Sequence, residues 1–98
     1  MIHKQPLPDG KVSVTFEMPA GIWANTIHLV GDFNNWDRQS HPLRQRHSDG
    51  VWEITLTLEA GRQYRFRYLV DNADWHNDWN ADHYAPNPYG TDDSVVVT

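Results

Sequence analysis

Two stretches of this 98-residue chain set tryptophan among short polar side chains, a pattern suited to holding a neutral polyol. In Asp71-Asn72-Ala73-Asp74-Trp75-His76-Asn77-Asp78-Trp79-Asn80, Trp75 lies among so many Asp, Asn and His residues that no apolar periodicity explains its burial. A pyranose ring offers a C–H face that lies flat on an aromatic plane, while its hydroxyls need donors and acceptors around the rim. The aromatic supplies apolar area, about 150–250 Å² for a fully buried ring and less under a stacked sugar. The composition is that of a carbohydrate site. Trp79 is assigned the structural part, anchoring the loop into a satellite cluster. The second stretch is Asp32-Phe33-Asn34-Asn35-Trp36. Gly31 and the paired asparagines suit a tight turn with positive φ, which would hold Trp36 at the edge of a sheet. Two readings stay open for Trp36: a core residue, as buried tryptophan is in many sandwiches, or a second exposed aromatic.

Other chemistries find less support. His28, His41, His47, His76 and His83 lack the paired spacing of a zinc site. Asp71, Asp74, Asp78 and Asp82 carry oxygen ligands but not the spacing of an EF-hand loop, and read as a solvated loop with capping and turn roles. No metal and no cofactor are expected. Glycoside hydrolysis needs two carboxylates flanking a cleft, one with its pKa raised by burial, and nothing points to such a pair. No Gly-rich phosphate loop or nucleophile elbow occurs either. The expectation is a non-enzyme with no catalytic residue. A small hydrolase acting on α-glucan is the least supported reading. The formal charge of −5 argues against nucleic acid, whose backbone needs clustered lysine and arginine. No segment is long enough to cross a membrane, and residues 1–10 hold no apolar run resembling a signal peptide. With no cysteine present, these features lead to an expected cytoplasmic location.

The elements that must position the tryptophans read as strands. Residues 11–18 alternate, with Val12, Val14, Phe16 and Met18 on one face. Residues 26–30 form a short β-branched run stopped by Gly31. Residues 51–58 place Trp52, Ile54, Leu56 and Leu58 together. Residues 62–70 set Tyr64, Phe66, Tyr68 and Val70 opposite Gln63, Arg65, Arg67 and Leu69, and 94–98 would close a sheet. Ser48-Asp49-Gly50 and Glu59-Ala60-Gly61 read as hairpin-like connections. Residues 32–41 and 71–91 are the long loops, and long loops without periodicity are commonly functional. Length allows one domain. It is placed at residues 11–98, with 1–10 as an N-terminal extension. Short strands between frequent turns predict an all-β antiparallel sandwich.

Leu29-Val30-Gly31-Asp32-Phe33-Asn34-Asn35-Trp36, then Pro42-Leu43 and Gly50-Val51-Trp52-Glu53, resemble the family-48 carbohydrate-binding modules. These include the glycogen-binding domain of the AMP-activated protein kinase β subunit and the N-terminal domains of isoamylases and branching enzymes. The likeness continues through Ala60-Gly61-Arg62-Gln63-Tyr64-Arg65-Phe66-Arg67-Tyr68, Val70-Asp71, Trp75 and Pro86-Asn87 to Gly90-Thr91. The resemblance implies an immunoglobulin-like (early set) β-sandwich that binds α-1,4-linked glucan such as glycogen, starch or malto-oligosaccharides. It makes Trp36 and Trp75 the stacking residues and Trp52 a buried aromatic. Arg65, Thr91 and Asp93 become the polar contacts, with Asn35 beside Trp36. Arg65 stands where the glycogen-binding members have a lysine, and Asp93 where they have an asparagine. Other members pack against a catalytic barrel. The chain is expected to stand without a catalytic domain, acting alone or meeting a carbohydrate-active enzyme or another subunit in trans. The alternative function is therefore that of a protein-interaction domain.

Overall fold

The computed structural model describes residues 2–98, in nine strands. They are β1 (Ile2–Leu7), β2 (Lys11–Met18), β3 (Ile27–Gly31), β4 (Arg44–Gln45), β5 (Trp52–Glu59), β6 (Gln63–Val70), β7 (Asp74–His76), β8 (His83–Pro86) and β9 (Asp92–Val97). One antiparallel sheet runs β1-β2-β5-β4. The other runs β3-β6-β9-β8, with β7 also paired to β6. The two form an immunoglobulin-like sandwich. Helical structure among the described residues is limited to two 3-10 turns, and none of it is long and apolar enough to cross a membrane.

The period-2 pattern decides which faces meet. Val12, Val14, Phe16 and Met18 of β2 pack with Phe66, Tyr68 and Val70 of β6, and Val96 of β9 completes the layer. Trp52 and Leu58 are buried with them, while Ile54 and Leu56 are partly covered. Phe16 and Phe66 meet edge to face with centroids 5.0 Å apart, and Phe66 meets Tyr68 in the same way at 5.7 Å. Full burial of a side chain this size contributes about 1.5–3 kcal/mol, so the sheets are held mainly by this seam.

Three expectations need correction. Within the expected N-terminal extension, residues 2–7 form a strand of the sandwich: β1 pairs along its whole length with β2, from Ile2↔Phe16 to Leu7↔Lys11. Its Lys4 Nζ also donates to Asp82 Oδ2 at 2.6 Å, tying the edge of one sheet to the other. As an exposed edge strand with Lys4 and Pro6, it carries no alternation to read. Glu59-Ala60-Gly61 is not a hairpin turn, because β5 and β6 lie in different sheets and the turn carries the chain between them. Residues 71–91 are not all loop, since β7 and β8 lie inside them, each too short and polar to show a period.

Candidate functional site

Strand β6 is the platform. Its odd-numbered residues Arg65, Arg67 and Leu69 point away from the core, as i, i+2 and i+4 must. Register sets an apolar residue or an aromatic directly across from each: Val95 from Arg65, Val30 from Arg67, and Trp75 from Leu69. Val30, Leu69 and Val95 are buried although they lie outside the core between the sheets. Along one edge of β6 the partner is β9 as far as Phe66 and β7 from Tyr68 onward, so Arg67 stands where the partner changes.

Trp36 reaches this face from the turn after β3. The chain can turn there because residue 31 is glycine: an added Cβ would sit 2.5 Å from the Arg65 carbonyl oxygen and 2.8 Å from Phe66 Cβ. Asn34 fastens the turn, accepting from Gly31 N–H at 3.1 Å and donating to the Leu29 carbonyl at 3.0 Å. Asn35 and Trp36 then both adopt left-handed backbone, with φ of 55° and 58°. Asparagine tolerates this, whereas for tryptophan it costs about 1–2 kcal/mol. The indole is held in compensation. Its Nε1–H donates to Asp32 Oδ1 at 2.9 Å, and Asp32 Oδ2 accepts the Arg65 backbone N–H at 2.7 Å. One carboxylate thus locks the Trp36 ring to the strand that carries Arg65.

Trp75 is positioned by a buried polar network. Asp78 is 1% exposed, which corrects its reading as a solvated loop residue. Its Oδ2 accepts the Tyr68 hydroxyl at 2.7 Å, and its backbone N–H donates to Ser94 Oγ at 2.9 Å. Ser94 in turn donates to Asn77 Oδ1, and Asn77 Nδ2 donates to the Asp92 carbonyl, both at 2.9 Å. Burial first, and the adjacent Asp78 carboxylate second, push the Tyr68 phenol well up, so it stays a donor. These bonds clamp the segment after β7 against β9. Trp75 is half-buried, with the guanidinium carbons of Arg38 and Arg67 5.5 and 5.8 Å from its ring centroid, within cation–π range. Trp79 does the opposite of what its sequence context suggests: at 77% exposed it anchors nothing.

The last wall is the 87–91 turn, organised by Asn87. Its Oδ1 accepts the backbone N–H groups of Tyr89 and Thr91, at 3.0 and 3.3 Å. Its Nδ2 donates to Thr91 Oγ1 at 2.8 Å and to Asp93 Oδ1 at 3.1 Å. Asp93, 6% exposed, also faces Arg65 Nη1 at 3.6 Å, and Arg65 donates to the Pro86 carbonyl at 3.0 Å.

These elements enclose an open cleft of about 770 Å³. Trp36, Trp75, Arg65, Thr91 and Asp93, all named from sequence, line it together. Asn35 does not; its part is the left-handed backbone that turns Trp36. Sequence reasoning missed Arg38, Arg67, Asn87, Pro88 and Tyr89 as lining residues. Arg67 was discoverable, because it shares the β6 face with Arg65. Both N–H groups and the oxygen of the Asn87 amide are taken up within the turn, so its part is to hold Thr91 and Asp93 in place.

Residues 7–89 match the family described as Carbohydrate-binding module 48 (Isoamylase N-terminal domain). The chain belongs to the carbohydrate-binding module 48 family. Membership supports carbohydrate binding as the general role of a family-48 module. Similar curated proteins are 1,4-alpha-glucan branching enzymes GlgB. That of Pseudomonas putida is 46% identical over 52 residues, covering 49% of this chain and 7% of the enzyme. Those of Ralstonia nicotianae and Pseudomonas fluorescens are each 42% identical, over 60 and 65 residues, covering 56% and 62% of this chain and 8% of each enzyme. This module thus spans under a tenth of the length of these relatives.

Proposed function

We propose that this family-48 module binds α-1,4-linked glucan without catalysis, stacking glucose units on Trp36 and Trp75 while Arg65, Thr91 and Asp93 meet hydroxyls at the rim and Asn87 holds the turn that presents them. The observation that carries the reading is convergence: Trp36 from the turn after β3 and Trp75 from β7 line one cleft together with donors and acceptors, the Trp36 indole held by Asp32 and the Trp75 ring beside Arg38 and Arg67. The names of the similar branching enzymes point to the same polymer. An open cleft gives weak binding, with a Kd between about 1 mM and 1 μM, or roughly −4 to −8 kcal/mol. The test is retention on immobilised glycogen. Trp36→Ala and Trp75→Ala are each expected to abolish it while leaving the circular dichroism and cooperative melt of a folded domain. Wild-type retention by either folded variant removes that tryptophan from the site.

A second reading rests on a different surface. Trp79 lines an apolar groove with Met18, Pro19, Ala20 and Val51, away from the glucan cleft. Exposed aromatic grooves mark protein contacts as readily as sugar sites. This groove suits docking on a carbohydrate-active enzyme. Trp79→Ala would then weaken pull-down of a branching enzyme and leave glycogen retention intact; unchanged pull-down removes the reading.

A further inference from the structure

Three of the chain's eight lysine and arginine residues, Arg38, Arg65 and Arg67, converge on the glucan cleft of a molecule whose formal charge is −5. Of the five cations outside the cleft, Lys4 pairs with Asp82, Lys11 with Glu59, and Arg46 with Glu17, Asp49 and Glu53, while Arg44 and Arg62 are exposed and have no ion pair among the described residues. Inside the cleft the only lining carboxylate is Asp93, and it already accepts from Asn87 and faces Arg65. Arg38 and Arg67 have neither a carboxylate nor a hydrogen-bond acceptor among the described residues. Each lies only near the Trp75 ring, with both guanidinium carbons within 5.8 Å of the same centroid. Arg67 is half-buried, and its Nε is buried without a partner. A buried guanidinium N–H with no acceptor is costly to hold, and Arg38, which is exposed, adds its charge beside it.

A neutral sugar does not need this charge. Hydroxyls are served by alcohols, carboxylates and a single guanidinium, which Thr91, Asp93 and Arg65 provide. Two further unpaired arginines match an anion, and the flat guanidinium fork fits phosphate oxygens in pairs. We propose that the cleft selects α-glucan carrying a phosphate monoester. The phosphate would be held by Arg38 and Arg67 beside Trp75, with a neighbouring glucose stacked on Trp36. The proposal rests on the glucan-binding reading and specifies its ligand. The negative charge of the rest of the surface does not oppose it, since charges beyond about 8 Å are largely screened at physiological salt. That same charge disfavours extended polyanions, which require a long cationic track.

The experiment compares wild-type binding of maltoheptaose, maltoheptaose bearing one 6-phosphate, and inorganic phosphate alone, by calorimetry at low and high salt. The phosphorylated sugar is expected to bind about tenfold tighter than the neutral one, with the margin shrinking as salt rises. In Arg38→Gln/Arg67→Gln the ratio between the two sugars should fall to about one. Equal affinity for both sugars in the wild type overturns the proposal and leaves the glucan reading standing. Inorganic phosphate binding as tightly as the phosphorylated sugar also overturns it, by making the site one for free anions. Binding of no sugar at all brings down the glucan reading, and this proposal with it.

Discussion

Replacing Asp32 by alanine isolates the device that aims Trp36. The carboxylate takes two hydrogen bonds, from the Trp36 indole at 2.9 Å and from the Arg65 backbone at 2.7 Å, and both are on the exposed side of the sheet. Water can replace each partner, so the net contribution is about 0.5–1.5 kcal/mol per bond. The variant should lose about 2 kcal/mol, which lowers the Tm of a domain this size by roughly 10 °C. Binding should weaken by a separate route. With its indole untied, Trp36 must be ordered by the ligand, and immobilising such a side chain costs about 0.5–1.5 kcal/mol, equivalent to roughly two- to twelvefold in Kd. Calorimetric titration with maltoheptaose below the melting range measures the second effect, and a thermal scan measures the first. Asp32→Asn retains one acceptor oxygen and should fall between wild type and Asp32→Ala in both. An alanine variant with wild-type affinity would refute the reasoning, because the carboxylate would then play no part in aiming the ring.

Three further outcomes follow from backbone and charge. Trp36→Gly should melt a few degrees above Trp36→Ala, because glycine relieves a left-handed strain of about 1–2 kcal/mol and loses only part of it to its freer unfolded state; equal melting temperatures would mean the turn relaxes without strain. Gly31→Ala should cost about 1–3 kcal/mol in thermal or urea unfolding, since the new methyl meets the Arg65 carbonyl and Phe66 Cβ, neither of which can swing away, as well as the tip of the Phe33 ring. Stability should hold from neutral pH down to about 5 and fall below about 4. A hydrogen bond from Arg46 holds Asp49 below its ordinary value, and one from Lys11 does the same for Glu59. At Asp82 burial is the largest influence and opposes ionisation, but Lys4 and the Val97 N–H together outweigh it. Carboxylates lowered in the folded state contribute stability above their unfolded pKa and lose it as pH falls through the folded one. A Tm as high at pH 3 as at pH 7 would contradict this.

The faces of β2, β5 and β6 are legible in sequence because each strand alternates cleanly over eight residues. Those faces already separate Phe66 and Tyr68 from Arg65 and Arg67. Trp36 and Trp75 are legible by their polar company. Strand β7 is not, because three residues opposite β6 gain their order from pairing and from the Asp78 clamp rather than from any pattern of their own. Trp79 misleads for a related reason: only one residue away, Asp78 does the anchoring that a large apolar ring is expected to do. The convergence of Arg38 with Arg67 depends on the loop after β3 folding over the outer face of β6, which spacing along the chain does not encode.

The central claim is tested most directly by the indole Nε1–H resonances of the five tryptophans during a maltoheptaose titration, with a cello-oligosaccharide of similar length as the control. The account predicts saturable shifts for Trp36 and Trp75 with the α-linked sugar alone. Buried Trp52 and the exposed Trp23 and Trp79 should stay in place. Shifts confined to Trp23 or Trp79, or no shift at any indole of the folded protein, would contradict it.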